Sequence, residues 1–148
     1  QNDPRAFASL ADAWKADRDI VIAAVRQDWK ALQHAAESCR ADHEIVLTAV
    51  KMQGLSLEWA TEACKNDQEI VMTAVRTTWG ALQFASETLK CDREIVLTAV
   101  TKNWRAIHMA ADCCKSDREI VLTVVKQHGL ALEDVEDSCK SDPEIVLA

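Results

Sequence analysis

His108, Asp112, Cys113 and Cys114 are the one local cluster in this chain of 148 residues whose types suit a metal site or a nucleophile. His108 and Asp112 have the i, i+4 spacing that puts two ligands on one helix face. Cys113 and Cys114 point in other directions, and the chain has no C-x-x-C pair. Cys113 also aligns, in steps of 25 residues, with Ser38, Ala63, Thr88 and Ser138, an ordinary small-residue position. His34, His43 and His128 are scattered and share no ligand set. There is no phosphate-cradling glycine loop, no hydrolase elbow and no tyrosine. The expectation is therefore a non-enzyme, with no catalytic, cofactor-binding or metal residue.

The other cysteines read as core. Cys39, Cys64, Cys114 and Cys139 recur at one repeat position, and Leu89 takes their place once. A position that accepts Cys or Leu is apolar, and buried free Cys behaves as a small hydrophobe. Side chains one helix spacing apart lie beyond disulfide reach. These thiols favour a reducing, intracellular compartment, although the localisation is otherwise unknown and an organelle stays open.

What positions all these residues is a repeat. Asp17, Asp42, Asp67, Asp92, Asp117 and Asp142 stand 25 residues apart without an insertion. An array of one supersecondary unit produces this pattern. In the unit 29–53, Leu32, Ala35, Ala36 and Cys39 follow the i, i+3, i+4, i+7 spacing of a helix with one apolar stripe. Asp42 then caps a second helix, Glu44 suits its positive end, and Lys51 its negative end. Ile45, Val46, Leu47, Ala49 and Val50 make that second helix apolar nearly all round. The β-branched run suits a strand by propensity, but cap and first-turn charge favour helix.

Each unit is thus expected to be two helices of about ten residues, stacked on its neighbours because neither buries its faces alone. The fold class is all-α: an α-solenoid of two-helix hairpins with nearly six units, at about 4–28, 29–53, 54–78, 79–103, 104–128 and a partial 129–148. Phe7, Leu10, Ala11 and Trp14 fit the same frame. At 8–10 Å per helix layer the array is a rod or gentle superhelix on the order of 50 Å long. The chain opens on Gln1 with no initiator methionine, and its last unit is incomplete; both suggest a piece of a longer array.

Composition agrees. Residues are 49% apolar, enough for a core, and only three glycines and two prolines punctuate the chain, too few for a strand-rich fold. The net charge of −7 argues against nucleic acid and anionic membranes as partners. No apolar run is long enough to span a bilayer.

The stretch from Val125 to Val146 carries a resemblance. Gly129-Leu130-Ala131-Leu132 leads through Cys139-Lys140-Ser141-Asp142 to Glu144-Ile145-Val146-Leu147. It resembles the repeat family called domain of unknown function 4116, and the pattern recurs through nearly the whole chain. The resemblance implies tandem helical repeats of a kind common in unicellular eukaryotes, with a binding or scaffolding role and no established catalytic residue. The chain departs from that pattern at Trp29, Trp79 and Trp104, where Gly54 and Gly129 show the usual residue. The bulkier ring is expected to alter the turn into the unit and to add packing.

Comparing units separates frame from candidate site. Asp12, Glu37, Glu62, Glu87, Asp112 and Asp137 precede Lys15, Arg40, Lys65, Lys90, Lys115 and Lys140 by three residues, a helix-supporting ladder that could also cross-link units. A site for one partner belongs where units differ. His34, Trp59, Phe84, Met109 and Asp134 share such a position, and Trp59, Phe84 and Met109 make an apolar stripe if that side is open. The alternative is packing between adjacent first helices. The function expected is a non-catalytic scaffold presenting an extended surface to a protein partner. The alternative is an accessory or peripheral subunit stabilising a larger complex, organellar or membrane-bound. Base-by-base nucleic-acid reading lacks a basic strip.

Overall fold

A computed structural model describes residues 12–129 and 131. Among them the fold is all-α, with no strand, in a pattern that recurs every 25 residues. The second segment of each unit is a ten-residue α-helix: Arg18–Gln27, His43–Met52, Gln68–Thr77, Arg93–Lys102 and Arg118–Gln127.

Each of these long helices begins at its aspartate. Asp42 accepts a hydrogen bond from the Ile45 amide at 3.0 Å, and Asp67 from Ile70 at 3.0 Å. Asp17, Asp92 and Asp117 each accept from two first-turn amides. These bonds satisfy donors that a helix start leaves orphaned. Asp142, the sixth cap expected, lies outside the described residues.

The first segment differs from the expected ten-residue helix. It is a six-residue 3-10 helix, then two extended residues, then one α-turn: Trp29–His34 and Glu37–Arg40, Gly54–Trp59 and Glu62–Lys65, Trp79–Phe84 and Glu87–Lys90, Trp104–Met109 and Asp112–Lys115. Ala35 closes the 3-10 helix by donating to Leu32, and Ala36 leaves the helical path at φ −62°, ψ 158°. Its amide crosses to the preceding unit and meets the Lys15 carbonyl at 2.8 Å. Thr61 to Arg40, Ser86 to Lys65 and Ala111 to Lys90 repeat that bond at 3.1, 2.9 and 3.1 Å. A continuous helix would turn these amides inward, so the break is what ties one unit to the next.

The core lies between the layer of long helices and the layer of 3-10 helices. Ile45, Val46, Ala49 and Val50 are fully buried, as are Ile70, Val71, Ala74 and Val75 one unit later. Leu32, Leu57, Leu82 and Ile107 meet them from the 3-10 layer, also without exposure. Each such aliphatic side chain contributes about 1.5–3 kcal/mol on leaving water. The turns between units need no left-handed residue: no positive φ occurs among the described residues, glycine included. Asp28, Gln53, Thr78, Asn103 and His128 end the long helices in extended backbone instead. This is why so few glycines suffice.

The tryptophan expectation is corrected by the same turns. Gln53 before Gly54 has φ −147°, ψ 111°, and Asp28 before Trp29 has φ −146°, ψ 112°. The backbone therefore enters the unit alike before glycine and before tryptophan; the difference lies in the approach of the next unit, since a Cβ at Gly54 would lie 2.2 Å from the Ala74 carbonyl oxygen.

Candidate functional site

The variable position His34, Trp59, Phe84, Met109 is the last residue of successive 3-10 helices. At one junction it meets the first residue of the preceding 3-10 helix. The Trp59 indole lies flat on that of Trp29, centroids 5.4 Å apart and planes 16° apart. The two expected alternatives, open stripe or packed interior, meet halfway. Trp59, Phe84 and Met109 are packed against the core and remain half-buried, and Trp79 and Trp104 do the same. His34 is exposed. It lines an apolar hollow of about 260 Å³ with Trp14, Ile20, Val21 and Ala24. Asp134 also lies outside it.

Cations sit on the aromatic face. The Lys30 ammonium is 5.6 Å from the Trp29 ring centre, and the Arg105 guanidinium is 4.8 Å from that of Trp104. Trp104 also stacks on His128 at 4.5 Å and takes His108 at its edge at 5.7 Å. His108 thus belongs to the aromatic face and not to a ligand cluster. No group of three or more His, Cys, Asp or Glu among the described residues is arranged to hold a metal.

Four rungs of the helix-supporting ladder form, each inside one unit, and Glu37–Arg40 is not among them. Lys15–Asp12, Lys65–Glu62, Lys90–Glu87 and Lys115–Asp112 pair within one short helix at 3.1, 3.0, 2.8 and 2.9 Å. The closest ion pairs between units come from another position, the residue after the Asp cap, and Arg26 adds a longer one to Glu44 at 3.7 Å. Arg18 Nε meets Asp42 at 2.9 Å and its Nη2 meets Glu44; Arg93 Nε meets Asp117 at 2.9 Å and its Nη2 meets Glu119. His43 takes the same place opposite Asp67 and Glu69, at 3.7 and 3.5 Å. Partial burial works against the Asp42 and Asp117 carboxylates. Amide bonds from Ile45 and Ile120, and the guanidinium ions of Arg18 and Arg93, outweigh it and hold both below the ordinary carboxylate range. Sequence reasoning sought pairs three residues apart and missed partners 24 and 26 apart. The signal available was a basic residue one place after the cap, facing an acidic pair one period on.

Cys39, Cys64 and Cys114 are buried free thiols, and Leu89 is buried in their place. Cys64 and Cys114 donate to the carbonyls of Ala41 and Cys91 at 3.5 and 3.4 Å, and burial pushes both thiols up. Cys139 lies outside the described residues. Cys91 and Cys113 are different: they form a disulfide, with Cα atoms 5.9 Å apart, joining the units 79–103 and 104–128. In sequence Cys113 falls on a small-residue position and Cys91 has no role, so this pair was missed. The inference from core thiols to a reducing compartment does not extend to these two exposed residues.

No described helix is long and apolar enough to cross a membrane. No curated protein and no solved structure among those compared matches the chain. A family model described as a domain of unknown function does match, over residues 1–40, 42–82, 67–112 and 117–148. These several segments, two of them overlapping, run from one end of the chain to the other, as tandem copies of a repeat do. The chain therefore belongs to the family termed Domain of unknown function (DUF4116).

Proposed function

We propose that this chain is a non-catalytic scaffold that binds a protein partner along the face of its 3-10 helices. One observation supports the reading above others. Trp59, Phe84 and Met109 stand at equivalent places in three successive units, half-exposed on a surface otherwise rich in charge. Large, rigid, partly exposed apolar side chains spaced along one face are the usual anchors of a protein interface. Met adds adaptability to such a surface. Stacked units provide the length without a pocket.

The test is capture from the native source with the wild-type chain and with Trp59→Ser, Phe84→Ser and Met109→Ser combined. Circular dichroism must first show the helical signal intact in the variant. The reading expects the variant to lose partners that the wild type retains. An unchanged set of captured proteins would remove the stripe as the site.

A further inference from the structure

Cys91 and Cys113 sit at a junction whose backbone bond recurs at each junction among the described residues. Residue 91 ends the short helix Glu87–Lys90, and residue 113 lies in the short helix Asp112–Lys115 of the next unit. Beside them the Ala111 amide donates to the Lys90 carbonyl at 3.1 Å. The same bond occurs at the three preceding junctions, where the positions of the cysteine pair hold Ala16 and Ser38, Ala41 and Ala63, and Asn66 and Thr88. The repeat therefore brings residues 91 and 113 together without needing a covalent bond. Two cysteines at such a place are preorganised to close and to reopen.

Both side chains are exposed, whereas Cys114, next in sequence, is buried. Cys114 donates to the Cys91 carbonyl as Cys64 donates to that of Ala41, at a junction with no second cysteine. Its role is packing, and burial keeps it from ionising, so it is a poor nucleophile.

We infer that Cys91 and Cys113 are a reversible thiol–disulfide site, oxidised by a low-molecular-weight disulfide of the glutathione type, that locks one junction of the array. One of the two thiolates attacks a sulfur of oxidised glutathione. A mixed disulfide forms and one glutathione thiolate leaves. The second cysteine thiolate then attacks the protein sulfur of that mixed disulfide and expels the other glutathione. The two cysteine protons end on two glutathione thiols; the protein gives up two electrons and the small disulfide gains them. In the open form the junction keeps the backbone and apolar contacts of its siblings. In the closed form the units 79–103 and 104–128 cannot part. This inference stands apart from the partner-binding reading and does not depend on it.

The test equilibrates the purified chain in buffers of fixed glutathione ratio, quenches with acid, and labels free thiols with a mass tag. The expected result is loss of two tags together in one transition, with peptide mapping to Cys91 and Cys113. Cys39, Cys64 and Cys114 take the tag only after denaturation. Amide exchange across 104–127 should be slower in the oxidised chain, by up to roughly a hundredfold as loop closure allows, while 43–77 is unchanged. Cys91→Ser and Cys113→Ser place a residue that the fold already accepts at Ser116 and Ser38. Both variants should fold and exchange like the reduced chain in every buffer. A bond to Cys114 or Cys139, no bond at any glutathione ratio, or exchange indifferent to reduction would each overturn the proposal.

Discussion

The Thr61 amide donates across a unit boundary to the Arg40 carbonyl at 3.1 Å, and this bond accounts for the break in each first segment. Thr61 has φ −70°, and Ala60 before it is extended at φ −70°, ψ 157°, so the local backbone suits proline. Thr61→Pro removes the donor that reaches the neighbouring unit, together with a buried hydroxyl that has no partner. The expected cost is about 1–3 kcal/mol, because the Arg40 carbonyl loses its partner and the ring crowds it. Chemical denaturation of the variant against wild type measures this; equal midpoints would show that the junction bond carries no stability.

Ser56 is fully buried and its hydroxyl has no hydrogen-bond partner. Ala31, Ala81, Ala106 and Ala131 hold the equivalent place. Ser56→Ala is expected to stabilise the array by about 1 kcal/mol, since a desolvated hydroxyl is removed and the methyl remains. A rise in the thermal midpoint checks this.

Gly54 and Gly80 stand in successive 3-10 helices and differ in surroundings. A Cβ on Gly54 would lie 2.2 Å from the Ala74 carbonyl oxygen, whereas one on Gly80 meets only the Leu55 side chain, at an ordinary 3.8 Å. Gly54→Ala is expected to destabilise by about 1–3 kcal/mol. Gly80→Ala is expected to change stability by less than about 0.5 kcal/mol. Parallel denaturation curves of the two variants separate these outcomes.

The clamps give an acid-side prediction with a definite sign. Asp42 and Asp117 have folded values below their unfolded ones. Their contribution is therefore present above the unfolded carboxylate value near pH 4 and is lost as pH falls through the folded value. Both partners are partly exposed, so solvent screens each clamp and its contribution is small. Arg18→Gln together with Arg93→Gln should flatten the fall in stability below pH 4. Conversely, Gln68 stands where Arg18 and Arg93 stand, one period from Asp92 and Glu94. Gln68→Arg should add an arginine clamp at this junction, raising the midpoint at low salt more than at high salt.

The long helices and their caps were legible because Asp, Glu, Ile, Val, Ala and Val recur at fixed places with a helical period. Core burial of Leu32, Ala35 and Cys39 was equally legible, and for that reason the broken first segment was not. A continuous helix and a 3-10 helix followed by a break and one α-turn bury the same three side chains. The deciding bonds come from backbone amides of Ala36, Thr61, Ser86 and Ala111, whose side chains share no chemistry. The disulfide was hidden for a related reason. Neither position repeats its cysteine, so comparison between units marked Cys113 as an ordinary small residue. At the candidate surface, the sequence located Trp59, Phe84 and Met109 on one position but could not reveal that Trp29 stacks on the face of Trp59.

A protein partner seated along the face of successive 3-10 helices should leave its mark in hydrogen exchange, compared between the free chain and the chain bound to a partner captured from the native source. New protection is expected at 25-residue intervals, in Gly54–Trp59, Trp79–Phe84 and Trp104–Met109. Protection confined to one unit, or to the outer edges of the long helices with those three segments unchanged, would refute the proposed binding face.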